Sequence, residues 1–435
     1  MSSPMGGVIP DQDELLLEPQ TLMKRYDTLR RATEYLCEPL EPEDYVIQTM
    51  EDVSPTKWHL AHTTWFFEHF VLKAANPSYE EYHPLYHYLF NSYYVSAGER
   101  FARPRRGMLS RPTVTEVMEY RKYVDRQLTK WLLSVNPKTF RQYAPLIELG
   151  IQHEQQHQEL LLTDVKHVLS MNPLLPIYRQ REVSPSNKIA SPGWVQLKEG
   201  VYEIGYEGQG FSYDIEGPRH HQWISSIQIS NRLVTNQEYL EFMEDGGYAQ
   251  HLLWLSQGWD LVQKDNWVAP LYWRNQDDTW WVYTFSGQRE VNPAEPVTHL
   301  SYFEADAYAR WAGCRLANEF EWEVAASQAV LEGNFVENQI YHPLPLSSDS
   351  AQNQLHQFFG DAWEWTQSSY APYPGYRPCS GAIGEYNGKW MCNQYVLRGG
   401  SCATPKEHIR RTYRNFFPAY ARWQFSGIRL VKDLK

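Results

Sequence analysis

The chain has 435 residues, 42% of them hydrophobic and 15% aromatic, with 17 Trp and 30 Tyr. That length and composition allow two or three domains with separate cores and exclude a disordered chain. A formal net charge of −12 argues against nucleic acid as the main partner. The aromatic loading suits loop-rich folds packed by large rings, and pockets that hold flat or cationic ligands. Five cysteines (Cys37, Cys314, Cys379, Cys392 and Cys402) are odd in number and show no C-x-x-C spacing. A disulfide framework is therefore not expected, and a reducing cytoplasm is. Met1 to Glu18 lacks a signal pattern, and no apolar run approaches the ~20 residues of a membrane span.

Residues 11–40 carry helical periodicity through Leu15, Leu16, Leu22, Tyr26, Leu29 and Tyr35. Ser54-Pro55 reads as an N-cap followed by proline at the first helical position. It opens a second helix in which Trp58, His62, Trp65, Phe66 and His69 share a stripe, with His59 one turn back. Residues 76–112 are broken by Pro77, Pro84, Pro104 and Pro112, and hold Tyr93, Tyr94 and a run of arginines from Arg100 to Arg111. Thr113 to Glu116 forms a capping box for a third helix through Val117, Val124, Leu128 and Trp131.

The fourth helix, within Tyr143 to Leu169, carries His153-Glu154-Gln155-Gln156-His157. Histidines four apart on a helix lie one turn apart on one face, so both imidazoles can reach a single ion. They fall on the stripe of Leu146, Leu149, Leu160, Leu161 and Val168, where a polar side chain is costly unless something satisfies it. Four amphipathic helices with one long crossover read as a bundle, and bundle cores are where facing side chains build metal sites.

Residues 173–193 look like a linker between a bundle at 1–172 and a second domain at 194–435. In that second half, short alternating runs such as Val201 to Gly205 and Trp280 to Tyr283 predict strands. Helices are expected at Thr235 to Glu244, Tyr302 to Trp311 and Asn318 to Ala326, in an α+β, loop-rich domain.

Trp58-His59-Leu60-Ala61-His62-Thr63-Thr64-Trp65 together with His153 to His157 resembles the DinB-type helical bundle. Val234 to Tyr239, Cys314-Arg315-Leu316-Ala317, Glu319 to Glu323, Gly360 to Thr366 and Leu397-Arg398-Gly399-Gly400-Ser401 resemble the formylglycine-generating-enzyme fold, related to C-type lectins. Both halves in this order resemble the ergothioneine-forming sulfoxide synthases across nearly the whole chain. Two departures refine the likeness. Thr404 and Ile409 stand where formylglycine-generating enzymes carry their two active-site cysteines, so their copper-thiolate chemistry is not expected. The methyltransferase domain that ovothiol-pathway synthases usually append is not expected either.

The resemblance implies a site. Its iron ligands correspond to His62, His153 and His157, three neutral imidazoles that leave positions on Fe(II) open for substrates and O2. One of these could instead be a core histidine, with His59 as the replacement, and Zn(II) also suits three histidines. Gln156 corresponds to the residue that meets the imidazole of Nα-trimethylhistidine (hercynine), and Asn415 and Phe416 to the segment at its trimethylammonium end. Arg103 and Arg106 correspond to the pair that binds the thiol substrate's carboxylate, although the arginine loop could serve only as a tether. A tyrosine supplies a proton, and Tyr93 and Tyr94 are the candidates. The implied reaction joins a cysteine-containing thiol to the hercynine imidazole C2 as a sulfoxide. Phe417, where members that use γ-glutamylcysteine carry an aspartate, favours free cysteine. The rivals are a thiol dioxygenase, a synthase joining cysteine to histidine itself, a DinB-type thiol transferase, and a zinc-stapled, lectin-like binding protein. The partners expected are small molecules, with neither nucleic acid nor membrane; self-association is left open.

Overall fold

The computed structural model describes residues 18–181 and 186–434. Leu15, Leu16 and the start of the first expected helix lie outside the described residues. The chain divides into two compact units. Of the described residues, the first holds those through Met171 together with Glu207–Asp214 and Arg377–Lys389; the second holds the rest.

Helices dominate the first unit. They are α1 (Pro19–Cys37), α2 (Thr56–Phe67), the short α3 (Tyr86–Phe90), α4 (Val114–Ser134) and α5 (Pro137–Met171). The capping box of α4 forms as the sequence implies, with Thr113 and Glu116 satisfying each other's backbone N–H. α2 begins one residue later than expected: Pro55 is its N-cap, and Ser54 instead donates its backbone N–H to Asp164 Oδ2 at 2.8 Å. A π-helical turn, Glu68–Lys73, continues it. The expected stripe is also corrected, because all 12 residues of α2 are buried. A helix buried all round is a central element rather than an amphipathic one. α5 has 35 residues, so it runs about 52 Å. It approaches α2 closely, since a Cβ on Gly150 would lie 2.5 Å from the Phe67 ring. That contact falls one turn before His153 and brings the histidines of both helices together.

A buried ionic cluster fixes the rotation of α5. Glu154 accepts from Arg30 Nη1 at 2.8 Å, Arg121 Nη2 at 2.5 Å and Thr33 Oγ1 at 2.7 Å. Arg30 also reaches Asp125 at 2.8 Å, so α1, α4 and α5 share one network. Burial by itself would raise the Glu154 carboxyl, but Arg121 and Arg30 pull it down to about 2.

The second unit is built from short, mostly antiparallel strands and helices. β1 (Trp194–Leu197), β2 (Gly200–Ile204), β3 (His220–Ile224) and β4 (Ile227–Ser230) lead into α6 (Asn236–Glu244) and α7 (Ser256–Asp265). β5 (Trp273–Gln276), β6 (Thr279–Thr284) and β7 (Gly287–Glu290) form a meander, followed by α8 (Tyr302–Trp311), β8 (Arg315–Leu316) and α9 (Glu319–Ala326). β9 (Trp363–Ser369), β10 (Gln394–Arg398), β11 (Asn415–Pro418), β12 (Ser426–Gly427) and β13 (Leu430–Asp433) complete it. The two four-stranded sheets run β1-β4-β13-β8 and β11-β10-β9-β12. Helices α6, α8 and α9 form where the sequence predicts them, each with a capping box from Thr235, Ser301 or Asn318. α7 has no counterpart in the sequence reading.

The motifs that carry the family likeness in this half are structural. Three glutamates of α9 each take a different arginine: Glu319 pairs with Arg414, Glu321 with Arg315 and Glu323 with Arg398. Glu364 of β9 accepts from Arg429 at 2.7 and 2.8 Å and from Trp322 Nε1 at 2.7 Å. Gly399, at φ +98°, makes a turn where a Cβ would meet Phe358 O at 2.6 Å. Thr404 is buried and accepts from Ser401 N at 2.7 Å.

Candidate metal centre

α2 contributes His62, and α5 contributes His153 and His157. Each offers a ring nitrogen, all within 4.8 Å of one another, and all three side chains are buried. The ring chemistry says which nitrogen is free. His62 Nδ1 lies 2.6 Å from the Phe90 carbonyl, which can only accept, so Nδ1 carries the proton and Nε2 keeps its lone pair. His62 Nε2 and His153 Nε2 are 3.1 Å apart. Two metal–nitrogen bonds of ~2.1 Å meeting near a right angle span about 3.0 Å. His153 Nδ1 has no hydrogen-bond partner.

Charge points the same way. Burial, and then the neighbouring imidazoles, hold His62 and His157 well below the ordinary histidine range; burial lowers His153 to about 3. All three are neutral at physiological pH, the state a metal requires of an imidazole ligand. A buried, neutral three-histidine cluster with lone pairs converging therefore fits a divalent ion. His59 does not face this cluster with a free nitrogen: its Nδ1 meets His157 Nδ1 at 2.8 Å and its Nε2 meets Asp164 Oδ2 at 3.0 Å.

A stack of planar groups leads away from His62. The Trp58 indole lies 4.5 Å from the His62 ring at 14°, and the Arg106 guanidinium lies 3.3 Å over the Trp58 ring. Arg106 is buried, donates to Ser54 Oγ at 2.9 Å and Ser92 Oγ at 3.0 Å, and leaves Nε unpartnered. Among the described residues no carboxylate bonds to it. Burial, and then the Arg103 charge, weigh against its cationic form, a cost that an incoming carboxylate would offset. Arg103 is exposed and donates to the Asp52 carbonyl.

On the other side of His153 is a group of tyrosines. Tyr93 and Tyr94 stack at 4.7 Å, and burial raises both hydroxyls. The sequence reading had no signal for a third, Tyr386, which arrives on the Arg377–Lys389 segment. Its ring stands perpendicular to His153 at 5.4 Å, and its hydroxyl donates to Gln156 Oε1. Tyr213 stacks on it at 5.3 Å, and Tyr93 lies 5.9 Å away. Glu385 anchors the segment by accepting from Val95 N at 2.6 Å and Ser96 Oγ at 2.5 Å. In the second unit, Asn415 and Phe416 lie on β11, where Phe416 stacks on Tyr370 at 4.2 Å and 10°. Phe417 follows, 6.1 Å from Trp423.

Comparison with known proteins gives this arrangement a class. The DinB superfamily model matches residues 25–161, and the sulfatase-modifying factor enzyme 1-like domain matches 179–343 and 336–434. The relatives place the chain among two-domain oxygenases, in which the three-histidine cluster could hold a metal. Hercynine oxygenases of Mycobacterium tuberculosis and Mycolicibacterium smegmatis are 32% and 33% identical to it over 305 and 314 residues. Those matches cover 65% and 66% of this chain and 70% and 71% of the relatives. The hercynine oxygenase of Mycolicibacterium thermoresistibile is 28% identical over 409 residues, 88% of each chain. The chain belongs to the hercynine oxygenase family. No helix among the described residues is long and apolar enough to cross a membrane.

Proposed function

We propose that this oxygenase is the sulfoxide synthase of ergothioneine biosynthesis, joining cysteine sulfur to the imidazole C2 of hercynine with Fe(II) and O2. The observation that carries this reading is the buried cluster of His62, His153 and His157, all neutral and with no carboxylate among them. Three neutral donors leave both charge and coordination positions to be filled by substrates, which suits a thiolate. Fe(II) held there would lower the thiol pKa and activate O2.

The chain's own residues divide the remaining work. Arg106, with Arg103 at the rim, takes the cysteine carboxylate, and the Trp58 stack sets its distance from His62. Gln156 meets the hercynine imidazole. The resemblance assigns the trimethylammonium end, which has no N–H to donate, to Asn415 and Phe416, an oxygen and an aromatic ring. The proton donor belongs to the cluster of Tyr93, Tyr94 and Tyr386. Tyr386 leads because its Oη–H already points at Gln156 Oε1 beside His153.

Phe417 leaves no charge for a γ-glutamyl α-ammonium, so cysteine is the preferred thiol. The test is anaerobic Fe(II) reconstitution, then O2 uptake and product mass with hercynine plus either thiol. The expected result is hercynylcysteine sulfoxide, with kcat/KM higher for cysteine. A clear preference for γ-glutamylcysteine would overturn the thiol assignment, and turnover of unmethylated histidine in preference to hercynine would overturn the acceptor.

A further inference from the structure

His59 and Asp164 are both buried and both polar, and neither has a part in the proposed reaction. They stand three residues before His62 and seven after His157, on the inner faces of α2 and α5. A chain of contacts joins them to the metal cluster. Asp164 Oδ2 accepts from Ser54 N at 2.8 Å and lies 3.0 Å from His59 Nε2; His59 Nδ1 lies 2.8 Å from His157 Nδ1. We propose that Asp164 and His59 are positioning residues that fix which nitrogen of His157 carries its proton, and so aim His157 Nε2 at the metal.

The argument follows the donors and acceptors along the chain. A carboxylate only accepts, and Oδ2 already faces the Ser54 N–H. His59 must therefore donate from Nε2, and a ring carrying that single proton has Nδ1 as a lone pair. His157 Nδ1, 2.8 Å away, must then be the donor, and the only lone pair left on His157 is Nε2. With one proton on each ring, reversing a single link would set two hydrogens or two lone pairs against each other in a buried space. The three ligands are thus held by unlike means. His62 is oriented by a neutral carbonyl, His157 by an ionic relay, and His153 Nδ1 by no hydrogen bond. The relay also explains why His59, on the same helix and equally buried, is not itself a ligand: both of its nitrogens are engaged.

This inference rests on reading His157 as a ligand, and its test separates the two. The full chain, metal-free, is titrated anaerobically with Co(II), followed by its visible absorption, for the unaltered protein, His59→Leu and His59→Gln. A glutamine amide can accept from His157 and donate to Asp164, and Asp164 permits only that orientation. The expected result is 10- to 100-fold weaker binding for His59→Leu, with His59→Gln within a few fold of the unaltered protein. Equal binding by His59→Leu, or no rescue by His59→Gln, overturns the relay. If the unaltered protein takes up no Co(II), the metal-centre reading fails instead. A second measurement needs neither a variant nor a metal: neutron diffraction from metal-free crystals of the exchanged protein. Deuterium is expected on His59 Nε2 and His157 Nδ1, with none on His59 Nδ1. Deuterium on His59 Nδ1 overturns the proposal even if His59→Leu does not fold.

Discussion

His153 and Glu154 are neighbours in the chain, yet α5 turns them into opposite electrostatic worlds. On one face three imidazoles are buried with no carboxylate hydrogen-bonded to them, and burial keeps them neutral. On the other, a carboxylate equally buried stays ionised because Arg30 and Arg121 close on it. The same degree of burial gives opposite outcomes, and the difference lies in what each face is given as a partner. The ionised face sets the rotation of the helix. The neutral face, held in that rotation, is left with lone pairs and no charge, which is what a cation needs. The first face belongs to stability and the second to chemistry.

That division can be broken from either side. His153→Ala should abolish iron binding and turnover together while the fold survives. Metal content and O2 uptake measured on one sample check this, and full activity in the variant removes His153 from the site. Glu154→Ala should do the reverse. Leaving two buried guanidiniums without their shared carboxylate costs about 3–5 kcal/mol of stability, read by denaturant unfolding, while whatever remains folded still binds one iron per chain. Loss of iron from a well-folded Glu154→Ala protein would contradict the division.

Acid separates the faces without mutation. His153 is held at about 3 against an ordinary 6.5, so below about pH 6.5 the unfolded chain binds protons that the folded cluster refuses. Stability of the metal-free protein should therefore fall as pH drops from about 6.5 toward 3. Glu154, at about 2 against an ordinary 4.5, contributes stability that is present above 4.5 and lost only between there and about 2. Between about pH 6.5 and 4.5 the loss from the buried histidines, His69 and His408 included, should outweigh the opposite effect of Asp361, whose carboxyl burial raises to about 6. A flat profile across that range would mean the imidazoles are not held neutral.

Smaller effects sharpen the substrate assignments. Arg106→Lys keeps the charge but loses the flat stack on Trp58 and the paired donors, so KM for cysteine should rise roughly 10- to 100-fold, with a smaller change in kcat. Phe416→Leu removes one aromatic face, worth about 1 kcal/mol, so KM for hercynine should rise about 5-fold. An unchanged KM for hercynine would return Phe416 to simple packing against Tyr370.

Helical spacing made part of this legible in advance. His153 and His157 one turn apart, in a stripe of leucines, announced a core position that needed an explanation, and the capping box at Thr113 marked a helix start that the fold keeps. Other features had no local signal. α2 is buried on every side, so its pattern could not tell His59 from His62; only the partners of each ring nitrogen do that. Asp164, seven residues past His157, was available as a same-face acceptor but its use depends on His59 arriving from another helix. Tyr386 lies 230 residues from Gln156 in a loop-rich segment with no periodicity, and Glu385 and Lys389 secure that segment by contacts to residues 93–96 that only folding creates. The role of Glu154 was equally hidden, because its arginines come from two other helices.

The most direct test of the account is an anomalous difference map at the iron edge from crystals reconstituted anaerobically with Fe(II). It should show one peak per chain, bonded to Nε2 of His62, His153 and His157, with no protein carboxylate in contact. A peak bound through His59, or one drawn to a carboxylate such as Asp164, would contradict it.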